Sequence, residues 1–377
     1  MLESFLTIIY CLFLAVFLLI VCGYWWGEWY SAPTGQDETF YVRTDDGWRL
    51  AVHHYRPQGG PRGLPVILCH GLSSNRYSFD LPGTPGLARF LSDRGRDVWV
   101  AELRGSGMSD RPGLFRADVP YSWVFEDHLG SDLPAIIAHV LELTGAAGVH
   151  WVGHSMGGLL VLAYLAQHEN PRIISAVTVG SPADFTKINN KAFRTLLTFR
   201  GLLKYLPVSP LPFLARLVIP VAHRTSAYMA GPFYPPNTEP LAARKVVALA
   251  SQLVTSNTIW LNFGGFLASG RFAPKNGKPY LEDLPKSNIP IFIVGGSKDL
   301  MAPPDSVIAA NQTGEQTAER KCLIFGKETG CVEDYGHMDL LMGVRAEHEV
   351  FPHILTWLDD HELAADTDAE HHPSLDQ

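Results

Sequence analysis

Short, continuously apolar stretches alternate with helical patterns along most of this 377-residue sequence, and this alternation constrains its fold more than any other feature. Such stretches are typical of strands buried on both faces of a sheet. They fall at Leu64–Cys69, Val98–Glu102, Gly148–Val152, Ile174–Gly180, Ile289–Val294 and Lys321–Phe325. Helical patterns lie between them near residues 83–94, 130–145 and 156–168. Before the first of them, two alternating runs joined by Asp-Asp-Gly predict a hairpin, at Thr39–Thr44 and Trp48–Tyr55. The sequence therefore predicts an α/β fold with a mostly parallel central sheet and helices on both faces.

The alternation stops between about residues 184 and 286, where the sequence is rich in Leu, Phe and Pro. We predict that 184–286 forms a helical cap inserted between two strands of the sheet. An independent helical domain is the alternative, but sheet strands resume at Ile289, which favours the insertion. The α/β core then consists of residues 39–183 and 287–362. The polar segment 363–377 is predicted to be a disordered tail.

The N-terminal segment, residues 1–30, differs in composition from the rest of the chain. Phe5–Cys22 is an uncharged apolar run, and a helix of its length reaches roughly 27 Å, close to the hydrocarbon thickness of a bilayer. Aromatic residues, which favour the membrane–water interface, follow at once: Tyr24, Trp25, Trp26, Trp29 and Tyr30. We therefore predict a single-pass N-terminal transmembrane helix that anchors the protein in a membrane.

A cleaved signal peptide, a lipoprotein signal and a buried core helix are the alternatives to an anchor, and a core helix rarely stays this apolar over its whole length. The first would need a basic residue near the start, whereas the sequence has Glu3, and the second would need a small residue where Val21 precedes Cys22. The first basic residue after the run is Arg43, and the charged residues between the run and Arg43 are all acidic: Glu28, Asp37 and Glu38. By the positive-inside rule, this slightly favours an extracytoplasmic catalytic domain.

Charge and cysteine content limit the partners that can be expected. A formal net charge of -8 argues against nucleic acid, because phosphate binding needs clustered Lys and Arg. No Cys/His cluster has the spacing of a metal site, so neither a metal nor an organic cofactor is expected. Cys322 and Cys331 could be bridged across a short loop, and a free pair fits the sequence equally well.

The motif G-x-S-x-G occurs at Gly153-His154-Ser155-Met156-Gly157, between a predicted strand and a predicted helix. This motif is the nucleophile elbow, a sharp turn that raises the serine above the sheet at the beginning of a helix. Glycines at its ends, Gly153 and Gly157, remove the Cβ atoms that would collide there. We therefore predict that Ser155 is a catalytic nucleophile.

A serine hydroxyl needs a general base, and the base needs an acid to orient it. In folds with a nucleophile elbow of this kind, the members of the triad follow each other along the chain in the order Ser, then Asp or Glu, then His. Asp299 follows a buried strand and His337 lies between the last strand and the last helix, which predicts the triad Ser155, Asp299 and His337. Asp184 is an alternative acid. His348 and His353 lie in a helical pattern and are weaker candidates for the base.

An oxyanion hole needs two donors aimed at the reacting carbonyl oxygen. The predicted donors are the backbone N–H of Met156, the residue after the nucleophile, and that of Leu72, in the loop after the strand that ends at Cys69. Gly71 allows the tight turn of that loop. His70 precedes the loop, and a structural role is predicted for it.

The sequence resembles the acid lipase family (gastric and lysosomal lipases) and its bacterial α/β-hydrolase relatives. Five stretches between about residues 44 and 343 carry the resemblance: TDDGWRLAVHHYRP, CHGLSSNRYSF, DVWVAELRGSGMSD, DLPAIIAHVLELTG leading into WVGHSMGG, and GGSKDLMAPPDSV with GHMDLLMG. The resemblance implies the same triad, Ser155, Asp299 and His337, and the same donors, Leu72 and Met156. AELRGSGMSDRP departs from the typical lipase pattern toward epoxide-hydrolase-like and esterase relatives, and the cap matches no family pattern.

These observations predict a membrane-anchored hydrolase that cleaves a carboxylic ester, a small molecule or a lipid, through an acyl-enzyme. The Leu/Phe-rich cap and the adjacent anchor favour an apolar acyl group. The same triad could transfer an acyl group to an alcohol or cleave an amide or C–C bond. A catalytically silent binding protein is disfavoured, because no member of the triad or of the oxyanion loop is missing.

Overall fold

One eight-stranded sheet, in the order β1-β2-β4-β3-β5-β6-β7-β8, forms the centre of the molecule. The computed structural model describes residues 2–30, 33–84, 86–111, 122–169, 171–189, 219, 231–250, 257–274, 277–312 and 318–369. The strands are β1 Glu38–Arg43, β2 Arg49–Tyr55, β3 Val66–Cys69, β4 Val98–Glu102, β5 Val149–His154, β6 Ile173–Val179, β7 Ile291–Gly296 and β8 Arg320–Phe325. The strands β3 to β8 run parallel, whereas β2 pairs antiparallel with both β1 and β4. The predicted α/β class and mostly parallel sheet are confirmed.

The helices of the described residues lie along both faces of the sheet and beyond its edges. They are α1 Leu2–Trp29, α2 Leu87–Ser92, α3 Phe125–Asp127, α4 Leu133–Thr144, α5 Met156–Gln167, α6 Pro240–Ala250, α7 Asn257–Ser269, α8 Pro304–Ile308, α9 Asp339–Met342, α10 Ala346–Glu349 and α11 Phe351–Ala369. A single π turn, His128–Asp132, joins α3 to α4. α4 ends at Gly145, which takes the left-handed conformation that commonly ends a helix.

The two faces of the sheet bury alternate residues of each strand. In β3, Ile67 and Cys69 belong to a core shared with α4 and α5, while Val66 and Leu68 belong to one shared with α2 and α11. All four of these residues are fully buried. A strand covered on both faces has no polar side, which is why the parallel strands read as continuous apolar runs.

The described part of the predicted cap packs on the core through aromatic rings. Phe263 and Phe266 of α7 lie edge-on or tilted against Phe125 of the core and against Phe185 at the start of the predicted cap, with ring centroids 5.5 to 6.4 Å apart. Residues 190–218, 220–230, 251–256 and 275–276 of this region lie outside the described residues. The division into a core and a cap stays a prediction.

The two ends of the chain are helical where the structure describes them. α1 contains the window Ile9–Trp26, which is long and apolar enough to cross a membrane and is only 7% buried against the rest of the structure. α11 continues through Ala369, into the segment predicted to be disordered, and residues 370–377 lie outside the described residues. The disordered tail at 363–377 stays a prediction.

Glycines at the turn between β5 and α5 allow three backbone segments to come together. A Cβ atom on Gly157 would lie 2.3 Å from the Cys69 carbonyl oxygen of β3 and 2.8 Å from that of His70. A Cβ atom on Gly153 would lie 2.3 Å from the carbonyl carbon and oxygen of Gly157. These clashing atoms are backbone, so neither clash can be relieved by turning a side chain.

We therefore expect Gly157→Ala to lower the free energy of unfolding by about 2 kcal/mol or more, because overpacking forces the backbone apart. Gly265→Ala is the matched control: Gly265 lies in α7 with nothing within 4 Å of an added Cβ. The control should be neutral or stabilising by about 0.5–1 kcal/mol, the helix propensity of alanine over glycine. Urea unfolding measures both, and equal stabilities for the two variants would contradict the close packing of this turn.

Candidate active site

Ser155 occupies the turn between β5 and α5 in a conformation that residues other than glycine rarely adopt, with φ 52° and ψ -114°. A serine at this positive φ is strained, and such strain persists only where surrounding contacts enforce it. Here the Ser155 N–H donates to the Val179 carbonyl at 2.8 Å, and Ser181 Oγ donates to the Ser155 carbonyl at 2.9 Å. Both partners come from the end of β6, so the neighbouring strand holds the turn.

His337 and Asp299 form a buried hydrogen-bonded pair. His337 Nδ1 donates to Asp299 Oδ2 at 2.8 Å, and the residues are 4% and 2% exposed. The other carboxylate oxygen, Oδ1, accepts the N–H groups of Met301 and Ala302, each at 2.8 Å. Both carboxylate oxygens of Asp299 thus accept hydrogen bonds, and the bond from His337 to Oδ2 fixes the orientation of the imidazole.

Ser155 and His337 line one cavity of about 250 Å³ at the carboxyl-end edge of the parallel strands. Gly71 and the predicted oxyanion donor Leu72 form part of the same wall. The rest is mostly apolar: Pro182, Phe185, Ile188, Pro232, Phe233, Val246, Val247, Trp260, Phe263, Met301 and Met338. Of the residues that the sequence predicted for the site, Leu72, Ser155 and His337 line this cavity, and Asp299 is joined to it by the hydrogen bond from His337.

His70 fixes the peptide that contains the predicted donor Leu72. The Leu103 N–H donates to His70 Nε2 at 3.1 Å, so Nδ1 carries the proton and donates to the Gly71 carbonyl at 2.8 Å. In a trans peptide the carbonyl and the next N–H point in opposite directions. Because His70 binds the carbonyl, the Leu72 N–H faces away from it. The structural role predicted for His70 agrees with these contacts.

The second predicted donor, the Met156 N–H, belongs to the first residue of α5. The first N–H groups of a helix have no acceptor within the helix and lie at its positive end. Met156 follows Ser155 and Leu72 follows Gly71. These two neighbours lie against each other, since a Cβ on Gly71 would lie 2.9 Å from Ser155 Cβ. The arrangement suits an oxygen that becomes negative during a reaction.

His154 is a buried histidine that the sequence reasoning did not consider. Its Nε2 donates to the His337 carbonyl at 3.2 Å, and the two rings lie 4.7 Å apart. Burial, and then repulsion from His337, hold the pKa of His154 well below its usual range. His154 is therefore uncharged at neutral pH. It does not repel a positive charge on His337.

Gly180 is the other site residue that the sequence reasoning missed. It follows β6 with φ 61°, and a Cβ there would lie 3.2 Å from His337 Nδ1 and 3.4 Å from Asp299 Oδ2. Glycine thus lets the backbone pass beside the His337–Asp299 pair. The only sequence signal was a glycine at the end of the strand next to the elbow.

The alternative candidates lie elsewhere. Asp184 accepts the N–H and hydroxyl of Thr186, at 2.8 and 2.6 Å. His348 lies in α10, and His353 in α11 has its ring 5.5 Å from that of Phe325. The structure brings His337 to Asp299 rather than to Asp184. Cys322 and Cys331, for which a bridge and a free pair were both open, are free thiols.

The sequence of this chain matches a known protein family. The family model described as the alpha/beta hydrolase fold matches residues 65–343. The chain belongs to this family. The hydrolase is also similar to an esterase from Exiguobacterium antarcticum, with a TM-score of 0.57 at 16% identity over 85% of this chain and 100% of that one.

Curated relatives of the hydrolase include lipases. Lipase 1 of Drosophila melanogaster is 34% identical over 157 residues, which are 40% of this chain and only 35% of that protein. Human gastric triacylglycerol lipase is 25% identical over 364 residues, or 86% of this chain and 88% of that one. The predicted resemblance to the acid lipases is confirmed.

The burial of His70 makes the stability of the hydrolase depend on pH. Burial lowers the pKa of His70 to about 4 in the folded protein, against about 6.5 in an unfolded chain. The unfolded state therefore binds more protons between these values, and stability rises with pH across this window. The stabilisation is complete above pH 6.5, and about 3 kcal/mol of it is lost as pH falls through 4.

We expect His70→Asn to remove this component, because an amide does not titrate. The variant should be less stable by about 1–3 kcal/mol at pH 7, since the buried Leu103 N–H loses its acceptor. Its free energy of unfolding should also change less between pH 4 and pH 6.5 than that of the wild type. Thermal unfolding over this range measures the difference, and parallel curves for the two proteins would rule out a neutral buried His70.

Proposed function

We propose that this chain is a membrane-anchored serine hydrolase that cleaves carboxylic esters with an apolar acyl group, using Ser155, His337 and Asp299. The observation that carries the proposal is the hydrogen bond from His337 to Asp299 in a cavity that Ser155 also lines. The lipase and esterase relatives support ester hydrolysis, which is the coarser part of the proposal.

In the proposed mechanism, Ser155 Oγ attacks the ester carbonyl carbon while His337 takes the hydroxyl proton. The carbonyl oxygen becomes an oxyanion that accepts the N–H groups of Leu72 and Met156. Collapse of this intermediate breaks the bond to the alkoxide, which takes the proton from His337, and leaves Ser155 acylated. Water then attacks the acyl-enzyme by the same route and releases the acid. Asp299 keeps the imidazole oriented and stabilises its positive form.

The walls of the cavity support an apolar acyl group. Phe185, Ile188 and Phe263 line it, and the first two are only 1% exposed. Phe185 and Phe263 also belong to the aromatic cluster that joins α7 to the core. An apolar chain placed against them leaves water without requiring any new hydrogen bond, so binding gains free energy in proportion to the area covered.

Acyl transfer and amide or C–C cleavage share the same covalent step and differ only in what attacks or leaves. A catalytically silent binding protein would not require the strained Ser155 turn, the His337–Asp299 pair and the oxyanion loop at one cavity. Their coincidence favours an enzyme over a binding protein.

We expect Asp299→Asn to lower kcat for p-nitrophenyl esters by roughly four orders of magnitude, because an asparagine no longer stabilises the imidazole in the required tautomer. Asp184→Asn is the matched control and should retain wild-type kcat, since Asp184 contacts Thr186 instead. Initial rates at saturating ester measure both. Near-normal kcat in Asp299→Asn together with loss in Asp184→Asn would move the acid to Asp184.

The acyl preference is tested by a series of p-nitrophenyl esters from acetate upward, beside a triglyceride and a monoglyceride. Each buried methylene should raise kcat/KM by about threefold to fourfold until the cavity is filled. Phe263→Ala widens the wall and should move the optimum to longer chains. A preference for acetate over all longer chains would contradict the apolar-acyl part of the proposal, while leaving ester hydrolysis intact.

The membrane part of the proposal rests on α1. Its side chains Phe13, Phe17 and Leu18 are 52 to 72% exposed, which is costly in water and favourable in a bilayer. Trp25 and Trp29 lie at its C-terminal end, 66% and 80% exposed, where an interface would place them. A signal sequence meets the same test of length and composition.

We expect wild-type protein in membranes to resist extraction by concentrated salt and to require detergent. Replacing Phe17 and Leu18 by arginine should release the protein, because each charge costs about 3 kcal/mol at the centre of a membrane helix. Val332→Arg, at an exposed apolar residue outside α1, is the control and should stay in the membrane. Complete release of the wild type by salt alone would contradict a spanning helix.

A further inference from the structure

A short segment within the predicted cap, residues 232–238, lies directly on the loop that carries His337. The Met338 N–H donates to the Pro232 carbonyl at 2.8 Å, and the Val344 N–H donates to the Asn237 carbonyl at 2.9 Å. The fully buried Asn237 also donates through Nδ2 to the Asp334 carbonyl at 3.2 Å. Pro232 and Phe233 of this segment line the same cavity as His337 and Met338. We call residues 232–238 the return segment.

Asp339, two residues after His337, lies at the centre of this contact and is fully buried. Its Oδ2 accepts the Gly336 N–H at 2.9 Å and the Tyr234 N–H at 2.5 Å. Its Oδ1 accepts the hydroxyl of Thr238. One carboxylate therefore binds the residue before His337 on one side and the return segment on the other.

The local backbone is shaped around this carboxylate. A Cβ on Gly336 would lie 2.7 Å from both Asp339 Oδ2 and the Tyr234 nitrogen. Burial raises the pKa of Asp339 to about 6, and Asp299 adds to the rise, while the Thr238, Tyr234 and Gly336 hydrogen bonds oppose it. At neutral pH the group is charged, and a charged carboxylate accepts all three donors.

We propose that Asp339 is a positioning residue that fastens the return segment to the His337 loop, so that His337 is correctly placed only while the return segment is docked. The proposal rests on the proposed role of His337 as the base. An acyl chain in the cavity contacts Phe233 and Met338 together, so the residues that enclose the substrate and the residue that moves its proton form one unit.

Replacing Asp339 itself would leave three donors unpaired in the interior and could unfold the protein. Thr238 offers a gentler test, because among the described residues its hydroxyl binds two groups, Asp339 and the Tyr234 carbonyl, the latter at 3.0 Å. Thr238→Val keeps the shape and removes the hydroxyl, whereas Thr238→Ser keeps the hydroxyl.

Thr329→Val is the matched control. The Thr329 hydroxyl also donates to two groups, the carbonyls of Ile324 at 2.6 Å and Gly326 at 3.0 Å, in the loop after β8 but away from the return segment. The three variants are compared in the full-length protein. Diethyl p-nitrophenyl phosphate, a small probe that a reactive serine displaces, titrates active sites by its burst amplitude, and its reaction rate reports on the Ser155–His337 pair.

We expect Thr238→Val to lower kcat per titrated site by roughly 10-fold to 100-fold, as a small misplacement of the base does. KM should change less than twofold, and reaction with the phosphate should slow to a similar extent as kcat. Thr238→Ser and Thr329→Val should stay within twofold of the wild type in both rates. Counting sites by the burst removes unfolded protein from the comparison.

A kcat and a phosphate rate in Thr238→Val equal to those of the wild type would overturn the proposal, whatever its Tm. So would equal losses in Thr238→Val and Thr329→Val, which would indicate general destabilisation. Failure of the proposed function has a different result: the wild type itself would not hydrolyse esters, or Ser155→Ala would still give the phosphate burst.

Discussion

The parallel pairing of β3, β5, β6, β7 and β8 is the constraint on which the site depends, because it brings the residue after each strand to the same edge of the sheet. Gly71 and Leu72 follow β3, and Ser155 follows β5. Gly180 follows β6, Asp299 follows β7, and His337 lies in the segment after β8. Residues more than 250 positions apart in the chain thereby line one cavity. Edges of this kind are where open α/β sheets bind their ligands.

α5 approaches β3 closely at that edge, and this places Ser155 beside the loop that follows β3. Gly153 and Gly157 admit backbone atoms where a Cβ would collide, which leaves Ser155 at a positive φ directly beside Gly71. His70 then orients the oxyanion loop from below, and the end of β6 binds both backbone groups of Ser155. Contacts from the end of β6 thus balance the strain in the Ser155 backbone, so that the proposed nucleophile is held in place before any substrate binds.

Much of this architecture could be predicted from the sequence, because the information is local. Buried parallel strands appear as uninterrupted apolar runs in the sequence. The predicted bounds of Val98–Glu102 are identical to those of β4, and the predicted bounds of the other strands agree with the structure within two residues. The G-x-S-x-G motif identified the turn between β5 and α5 for the same reason. Gly180 and His154 could not be found in this way, since each contacts His337 across the fold rather than along the chain. Asp339 is a near neighbour of His337 in the chain, but its bond to Tyr234 joins residues more than a hundred positions apart. The return segment has no periodic pattern at all, and its contacts with the His337 loop join residues about a hundred positions apart.

The proposed mechanism requires Ser155 to carry the acyl group during turnover. The most direct measurement is the mass of the peptide that contains Ser155 after the enzyme is mixed with an excess of a p-nitrophenyl ester and quenched in acid within the first turnover. We predict that this peptide gains the mass of the acyl group, that Ser155→Ala does not, and that the acyl mass disappears as the ester is consumed. Hydrolysis of the ester with the acyl group found on another peptide, or undiminished hydrolysis by Ser155→Ala, would contradict the account.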